Sequence, residues 1–451
     1  MDQKLKAAVI GAGAAGLVCA RELVRQGIDV TVYEQSNQVG GVWVYDAGSD
    51  DDITGVDPRH RVHSSLYDSL RTNLPRDLMA FSDYTFDSRG GGDDAWPRYP
   101  DHIRVLEYLT RFAVDFDLLK LIRFKSTVTS IELIDRNLDA DATKSSSQDR
   151  WVVECIANGE GDAVEKLQTT YDAVAVCNGH YSRPRVPQLD GIETFPGYLI
   201  HSHNYRRPDQ FKDMRVAVWG TAASGADIAR EIAPIAREVF WCGNAFELPA
   251  ERTAQGMHLY PSPTGFAGDE LIFNQQTSVK KVDAFVYCTG YEYEFPFLNN
   301  GIISVKDNWV HPLYLDLISA RHHRLAFIGL PFLVIPFPLF EMQSRWFARA
   351  LSGEMELPDQ EKIDQEIKKS HRNFARDGVP QHHYHRLGDA QTDYINLLAA
   401  QCGAEPVQDW YIGLALEAQK VRMSDPEGFR SRPLKYHGPT VVSDQSKVDS
   451  G

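Results

Sequence analysis

The run GAGAAG near the start of the chain, Gly11 to Gly16, spaces three glycines as a phosphate-binding turn requires. An apolar stretch precedes it, a segment with helical periodicity follows, and a second apolar stretch ends at Glu34. Such a turn brings backbone N–H groups and a helix N-terminus to a pyrophosphate, and the acid accepts a ribose hydroxyl. The pattern predicts a dinucleotide site, with a βαβ unit that merely tolerates glycine as the alternative. The predicted contacts are Gly11, Ala12, Gly13, Ala14, Ala15, Gly16, Glu34 and Gln35.

A second turn of the same kind, GTAASG, lies far downstream at Gly220 to Gly225. Alanine replaces the middle glycine at position 222, which leaves less room for the pyrophosphate. Two such turns indicate two nucleotides, and hydride passes naturally between a flavin and a nicotinamide. A second unit kept only for architecture is the alternative. The predicted nicotinamide contacts are Gly220, Thr221, Ala222, Ala223, Ser224 and Gly225.

Each turn must be positioned by the apolar strand before it and the amphipathic helix after it, which is typical of doubly wound α/β domains. With 451 residues the chain is long enough for two or more such domains. A formal net charge of −15 argues against nucleic acid and anionic membranes as partners. Small molecules are the expected partners.

Other segments predict neither a membrane span nor a metal site. The apolar run from Leu325 to Phe340 is too short for a membrane helix and contains prolines, so it is predicted as buried strand and loop. The six cysteines show no C-x-x-C spacing, and the acidic run Gly48 to Asp52 is predicted to be a solvated loop. The N-terminal apolar run is too short for a signal peptide, which predicts a cytoplasmic protein; a homo-oligomer stays open.

Five motifs follow one another in a fixed order. They are RTNLPRDLMAF (71–81), AVCNGHYSRPRVP (175–187), FPGYLIHSHNY (195–205), VYCTGYEYEFPFL (286–298), and FIGLP followed by FEMQSRW. With the two glycine turns they resemble the flavin-containing monooxygenases, over roughly residues 5 to 355. The T-N-L-P-R and C-T-G-Y segments are most similar to the plant-type S-oxygenating branch, which includes glucosinolate S-oxygenases.

The resemblance implies an α/β fold with two Rossmann-type domains, FAD in the larger one and NADPH in the smaller, inserted one. The implied boundaries are 1–185 for the first part of the FAD domain, 186–287 for the inserted domain, and 288–451 for the second part with a C-terminal helical extension. It also adds cofactor contacts at Gly41, Val42, Trp43, Asn73, Leu74, Val128, Thr289 and Gly290.

The resemblance further implies an NADPH- and O2-dependent monooxygenase that oxygenates a soft sulfur or nitrogen atom of a small molecule through a C4a-hydroperoxyflavin. Asn73 is the catalytic candidate, because a neutral amide donates a hydrogen bond without offering a proton that would expel peroxide. Capping of the turn before Pro75 is the alternative role for this side chain. His201 is expected to position backbone and ribose rather than to transfer protons, and no metal is expected.

Other flavoenzymes remain as alternatives. An oxidase would consume NAD(P)H and release hydrogen peroxide. A Baeyer–Villiger-type monooxygenase has a very similar fingerprint that ends in tryptophan, whereas this chain has Tyr205 there. A flavin disulfide reductase requires a close cysteine pair, which the sequence lacks.

The expected anchor for the 2′-phosphate of NADPH is missing from its usual place. Such enzymes carry an arginine or lysine at the end of the second strand of the nicotinamide domain. Here that strand ends in FWCGNAFE, with no basic residue before Arg252. Arg206, Arg207 and Arg252 are the candidates to replace it, and NADH is not excluded.

Overall fold

A computed structural model provides the fold, and its described residues form two compact units. The first unit comprises Met1–Gly41, Arg71–Gly179 and Phe295–Gly451, and the second comprises Val42–Leu70 and His180–Glu294. The residues described are 4–50, 52–57, 62–86, 96–134, 149–158, 164–246, 253, 255–274, 277–279, 281–298 and 301–435.

The described chain contains eight α-helices and twenty strands, and many of the strands follow one another without an α-helix between them. The strands are β1 (Lys6–Ile10), β2 (Asp29–Tyr33), β3 (Ile122–Arg123), β4 (Ser126–Leu133), β5 (Trp151–Asn158), β6 (Val164–Tyr171), β7 (Ala173–Val176), β8 (Tyr198–His201), β9 (Arg215–Trp219), β10 (Glu238–Cys242), β11 (His258–Tyr260), β12 (Gly265–Ala267), β13 (Glu270–Asn274), β14 (Thr277–Val279), β15 (Ala284–Tyr287), β16 (Ser304–Lys306), β17 (Trp309–His311), β18 (Leu313–Tyr314), β19 (Ile318–Ser319) and β20 (Leu325–Phe327). The helices are α1 (Ala14–Arg25), α2 (Arg76–Met79), α3 (His102–Asp115), α4 (Ala223–Ile232), α5 (Pro336–Ser352), α6 (Gln360–Arg376), α7 (Gln391–Cys402) and α8 (Asp409–Ser424).

The first unit is built around a seven-stranded sheet in the order β18-β19-β20-β7-β1-β2-β3. The five strands from β20 to β3 are parallel, and β18 and β19 pair antiparallel at one edge. Strand β7, with the sequence AVAV, is buried at every position. Such uninterrupted apolar strands form parallel sheets covered on both faces. Helix α1 follows β1 directly, so the first glycine turn lies at the carboxyl end of a central strand.

The second unit repeats this plan on a smaller scale. Its five-stranded sheet has the order β11-β10-β9-β15-β8, and all its pairs are parallel. Helix α4 follows the central strand β9, so the second glycine turn again lies at a carboxyl strand end. An antiparallel sheet of β12, β13 and β14 belongs to the same unit. The predicted α/β class with two Rossmann-type domains is confirmed.

The two units can be set beside the expected domain boundaries. Residues 186–287, expected as the inserted domain, fall within the second unit, which in addition contains Val42–Leu70. Helices α6, α7 and α8 follow residue 355, in the region expected to be a helical extension. The boundaries themselves stay a prediction.

The apolar run from Leu325 to Phe340 was expected to be strand and loop, and its last part is not. Its beginning forms β20, whereas Pro336 begins helix α5. Proline fits the first turn of a helix because the N–H group it lacks has no intrahelical partner there. Trp346 and Phe347 on this helix are fully buried. Across the ranges given above, no helix combines the length and apolar character needed to cross a lipid bilayer.

Candidate dinucleotide-binding sites

The first glycine turn leaves no room for side chains at two of its glycines. Gly11 has φ +105°, and a Cβ there would lie 2.6 Å from the carbonyl oxygen of Cys177. A Cβ on Gly16 would lie 1.9 Å from the carbonyl oxygen of Gly11, so helix α1 packs directly on the turn. Helix α1 begins after Gly13 with no side-chain cap. The N–H groups of its first turn therefore remain available for a phosphate.

Glu34 is held in a fixed orientation behind this turn. It is buried, and Oε2 accepts the N–H of Ala12 at 2.8 Å while Oε1 accepts the N–H of Ser36 at 2.8 Å. These bonds join the strand-end acid to the glycine turn, and the remaining lone pairs of the carboxylate can accept ribose hydroxyls. The neighbouring Gln35 is exposed.

A pair of glycines after β2 approaches the turn closely. Gly40 donates its N–H to the carbonyl oxygen of Ala12 at 3.0 Å. Gly41 has φ +55°, and a Cβ there would lie 2.9 Å from the Cα of Gly13. Gly40 has φ +128°, so both positions favour glycine, and at Gly41 a side chain would also collide with the glycine turn. Val42 and Trp43 complete one 3-10 turn with Gly41 and are assigned to the second unit.

Asn73 has an amide that is not used by its own turn. Thr72 closes that turn by donating its hydroxyl to the carbonyl oxygen of Leu74 at 2.9 Å. Within the described residues, the half-buried side chain of Asn73 makes no hydrogen bond. The capping alternative is therefore not the arrangement seen. Leu74 is half-buried, and Val128 lies in β4 beside a register shift.

The second glycine turn has the same local geometry as the first. Gly220 has φ +140°, and a Cβ on it would lie 2.1 Å from the carbonyl oxygen of Cys288. A Cβ on Gly225 would lie 2.0 Å from the carbonyl oxygen of Gly220. The middle residue, Ala222, has φ −78° and ψ −171°, against −77° and −173° for Gly13. Because these angles suit any residue, alanine replaces glycine here without backbone strain.

The remaining predicted contacts of this turn are at least partly exposed to solvent. Ala222 and Ala223 are exposed, while Thr221 and Ser224 are half-buried. No side chain caps helix α4, so its first turn is open in the same way as that of α1. Thr289 and Gly290 lie in the loop after β15, where Gly290 has φ +86° and accepts the N–H of Arg185 at 2.9 Å.

The end of the fingerprint segment, from Ile200 to Tyr205, is buried. His201 is completely buried, and its Nδ1 accepts the N–H of His203 at 3.0 Å. Burial, together with the neighbouring His203, lowers the pKa of His201 to about 3. This imidazole is thus neutral at physiological pH and orients backbone. Tyr205 is also fully buried and donates to Glu231 at 2.8 Å, while a Cβ on Gly197 would lie 2.5 Å from the carbonyl oxygen of Asp283.

A polar cluster around His203 was missed by sequence reasoning. Nε2 of His203 lies 3.4 Å from Oδ2 of Asp50, and Nδ1 lies 2.8 Å from the hydroxyl of Ser65. Burial raises the pKa of the adjacent Tyr291 to about 12. The expected solvated loop at Gly48 to Asp52 is therefore wrong at Asp50, which is buried. No motif marked it, because its partner lies far away in the sequence.

Arg206 does not replace the missing 2′-phosphate anchor. Its buried guanidinium donates to four backbone carbonyl oxygens, those of Asp46, Ser64, His203 and Tyr205. Its Nε, Nη1 and Nη2 atoms all donate to these loops. Arg207 is exposed and forms an ion pair with Asp68 at 3.0 Å. Arg252 lies outside the described residues.

The described part of the chain contains no cluster of histidine, cysteine and carboxylate side chains suited to a metal ion. All six cysteines are buried free thiols. The arrangement therefore offers two backbone cradles for phosphates, of which only the first has an acid at the end of the neighbouring strand.

Comparison with known proteins gives a consistent result. The sequence model described as flavin-binding monooxygenase-like matches residues 4–247 and 244–420. Flavin-containing monooxygenase FMO GS-OX5 of Arabidopsis thaliana is 44% identical, over 90% of this chain and 86% of the relative. FMO GS-OX1 of the same plant is 40% identical, over 94% of this chain and 90% of its own length.

Solved structures agree with these sequence matches. The S-allyl-L-cysteine S-oxygenase of Allium sativum is similar with a TM-score of 0.87 and 36% identity, covering 95% of each chain. Tmm of Pelagibacter sp. strain HTCC7211 shares the fold, with a TM-score of 0.79 and 22% identity over 96% of this chain and 95% of its own.

Proposed function

Because the chain belongs to the flavin-binding monooxygenase-like family, we propose that it oxygenates the sulfur atom of a small thioether, using NAD(P)H and O2. Membership makes the protein a flavin-dependent monooxygenase, with FAD and NADP(H) as the cofactors of its family. The observation that carries sulfur as the target is 36% identity over 95% of both chains with an S-oxygenase of S-allyl-L-cysteine. The relatives named GS-OX support the same choice.

The residues of the first cradle fit FAD. Gly11 and Gly16 open the turn to a pyrophosphate, and the oriented carboxylate of Glu34 accepts ribose hydroxyls. The second cradle fits a nicotinamide dinucleotide through Gly220 and Gly225. When bound, the nicotinamide supplies hydride, and reduced FAD supplies the electrons that activate O2.

The protein's own contribution is to hold these groups and to limit the access of water and protons. We assign Asn73 the role of hydrogen-bond donor, since its amide is not used by the turn that carries it. An amide donates without acidic character, so it stabilises an oxygen-bearing group without protonating it. His201 of the fingerprint is buried and neutral at physiological pH, so it does not act as a proton donor.

The proposal is tested with purified protein loaded with FAD, supplied with NADPH, O2 and S-allyl-L-cysteine. We expect sulfoxide by mass spectrometry, in a near-equal ratio to NADPH consumed, with little hydrogen peroxide. A tertiary amine and a cyclic ketone in parallel reactions distinguish nitrogen oxygenation and Baeyer–Villiger chemistry. Stoichiometric hydrogen peroxide with no oxygenated product from any of the three would refute the proposal and indicate an oxidase.

Replacing Asn73 by alanine is expected to lower sulfoxide yield per NADPH about thirtyfold, with hydrogen peroxide released instead. The reason is the loss of one donor to a charged oxygen, worth roughly 2 kcal/mol. Sulfoxide, NADPH and hydrogen peroxide are measured in the same reaction.

Thr72→Val is the matched control, since it removes the hydrogen bond that closes the turn at Leu74 and leaves the amide of Asn73 in place. It should reduce stability by about 1 kcal/mol and leave the peroxide yield unchanged. If both variants release the same amount of hydrogen peroxide, the loss of sulfoxide comes from disturbance of the turn and our assignment of Asn73 is wrong.

A cytosolic location remains a prediction from the sequence alone, and the oligomeric state stays open. The net charge of −15 continues to favour small-molecule partners over nucleic acid. Fractionation and size-exclusion chromatography with light scattering would test these two points.

A further inference from the structure

Strand register identifies the residue of the second cradle that corresponds to Glu34. In the first unit, Gly11 donates its N–H to the carbonyl oxygen of Tyr33, the last residue of β2. In the second unit, Gly220 donates in the same way to Cys242, the last residue of β10. Gly243 therefore stands where Glu34 stands, and Asn244 stands where Gln35 stands. This is the position from which a Rossmann unit reads the 2′ group of the ribose.

The two cradles differ in where the larger side chain stands. The first has a small residue in the turn and a large one after the strand, whereas the second has the larger residue in the turn and glycine after the strand. In the first cradle, the small Ala12 of the turn leaves space for the carboxylate of Glu34. In the second, a Cβ on Gly243 would lie 2.5 Å from Cγ2 of Thr221, which occupies the place of Ala12. The methyl group of Thr221 thus fills the space that a strand-end acid would need.

Asn244 directly follows Gly243 and is the polar side chain nearest in sequence to the position where an acid would stand. Its Oδ1 accepts the hydroxyl of Ser262 at 2.5 Å, and that hydroxyl accepts Nε1–H of Trp219 at 3.4 Å. Ser262 therefore holds the carboxamide by its oxygen. The side chain of Asn244 is exposed, so its uncharged Nδ2–H groups can donate to a ligand. Such donors bond equally to a hydroxyl oxygen or to a phosphate oxygen.

A Rossmann unit distinguishes NADH from NADPH by an acidic or a basic side chain near the ribose. In the described residues, this position has neither. An acid would repel a 2′-phosphate, and Gly243 supplies none. A strand-end cation would attract it, yet Arg206 is buried and donates from Nε, Nη1 and Nη2 to backbone carbonyl oxygens, and Arg207 pairs with Asp68. Charge-assisted bonds of this kind account for selectivity of roughly 10- to 150-fold.

We propose that the Gly243–Asn244 position forms a neutral ribose subsite, so that the protein binds NADH and NADPH with similar affinity. The proposal rests on the proposed function, because it assigns the second cradle to the nicotinamide dinucleotide. It extends that function to the selection between the two reductants.

The test uses FAD-loaded protein titrated at equilibrium with NADP+ and, separately, with NAD+, followed by calorimetry. We expect the two Kd values to lie within about tenfold, since no charge contributes to the difference. A larger ratio in favour of either dinucleotide overturns the inference and leaves the proposed function intact. If neither dinucleotide binds, the assignment of the second cradle fails, and with it the proposed function.

Asn244→Arg is the informative variant, with the neutral Asn244→Gln as its control. The arginine should tighten NADP+ about tenfold or more and leave NAD+ within about twofold, because only the former has a phosphate to pair. Asn244→Gln should preserve the wild-type ratio. Equal Kd values for NADP+ in the wild-type protein and the arginine variant would show that residue 244 lies away from the ribose, against the proposal.

Discussion

Replacing Gly225 by alanine is expected to lower kcat/KM for NADPH about a thousandfold, with no loss of bound FAD. The new Cβ would lie 2.0 Å from the carbonyl oxygen of Gly220, a distance that side chains do not tolerate. That carbonyl belongs to the turn itself, so relief of the contact must distort the phosphate-binding backbone. A thousandfold loss corresponds to roughly 4 kcal/mol. Helix propensity acts in the opposite direction, since alanine is favoured over glycine by about 1 kcal/mol in a helix.

Two readouts separate this effect from general damage. The rate of flavin reduction by NADPH under anaerobic conditions reports the second cradle, and the flavin absorbance of the purified protein reports the first. Ala222→Gly is the matched control, because Gly13 already adopts the same backbone angles at the corresponding place in the first turn. It should stay within about threefold of wild type. Near-normal flavin reduction in the alanine variant at position 225 would contradict the assignment of this cradle to NADPH.

Replacing Arg21 by methionine is expected to lower the free energy of unfolding by about 3 to 5 kcal/mol. The guanidinium is 2% exposed and contacts Glu341 at 2.7 Å, Asp83 at 2.7 Å and Glu22 at 2.8 Å. Removal of the cation leaves Glu22 and Glu341, both buried, short of a partner. Arg345 also contacts these two carboxylates, so we expect the lower end of the range.

The measurement is urea unfolding at a fixed, saturating FAD concentration, since bound ligand shifts the transition. Arg25→Met is the control, because Arg25 also pairs with Glu22 and Asp83 but is 39% exposed. It should cost less than about 1 kcal/mol, as exposed ion pairs do. Equal losses for the two variants would mean that burial of the Arg21 cluster contributes nothing to stability.

This cluster lies on the helix that carries the first glycine turn, yet nothing in the sequence marked it. Nine of the twelve residues of α1 are buried, including the charged Arg21 and Glu22, so helical periodicity does not single out Arg21. Its partners Asp83 and Glu341 come from segments far apart in the sequence. Pairing of this kind is decided by packing between elements, which local patterns do not encode.

The glycine turns were predictable because their requirements are local. A positive φ at Gly11 and Gly220, and the contact of a helix with its own turn at Gly16 and Gly225, act within a few residues. Only glycine satisfies them, so the amino-acid type reports the geometry. Spacing alone therefore identified both cradles and the class of fold.

The sequence by itself determined two Rossmann units, their order and, through five ordered motifs, the family. Tertiary structure decided the uses of particular polar groups: that Arg206 binds four carbonyl oxygens, that Asp50 is buried beside His203, and that Thr221 fills the space beside Gly243. The physical reason is the separation along the chain over which each interaction acts. Backbone conformation and periodicity act between near neighbours, whereas the partner of a buried charge or hydrogen-bond donor is chosen by the segments that folding brings together.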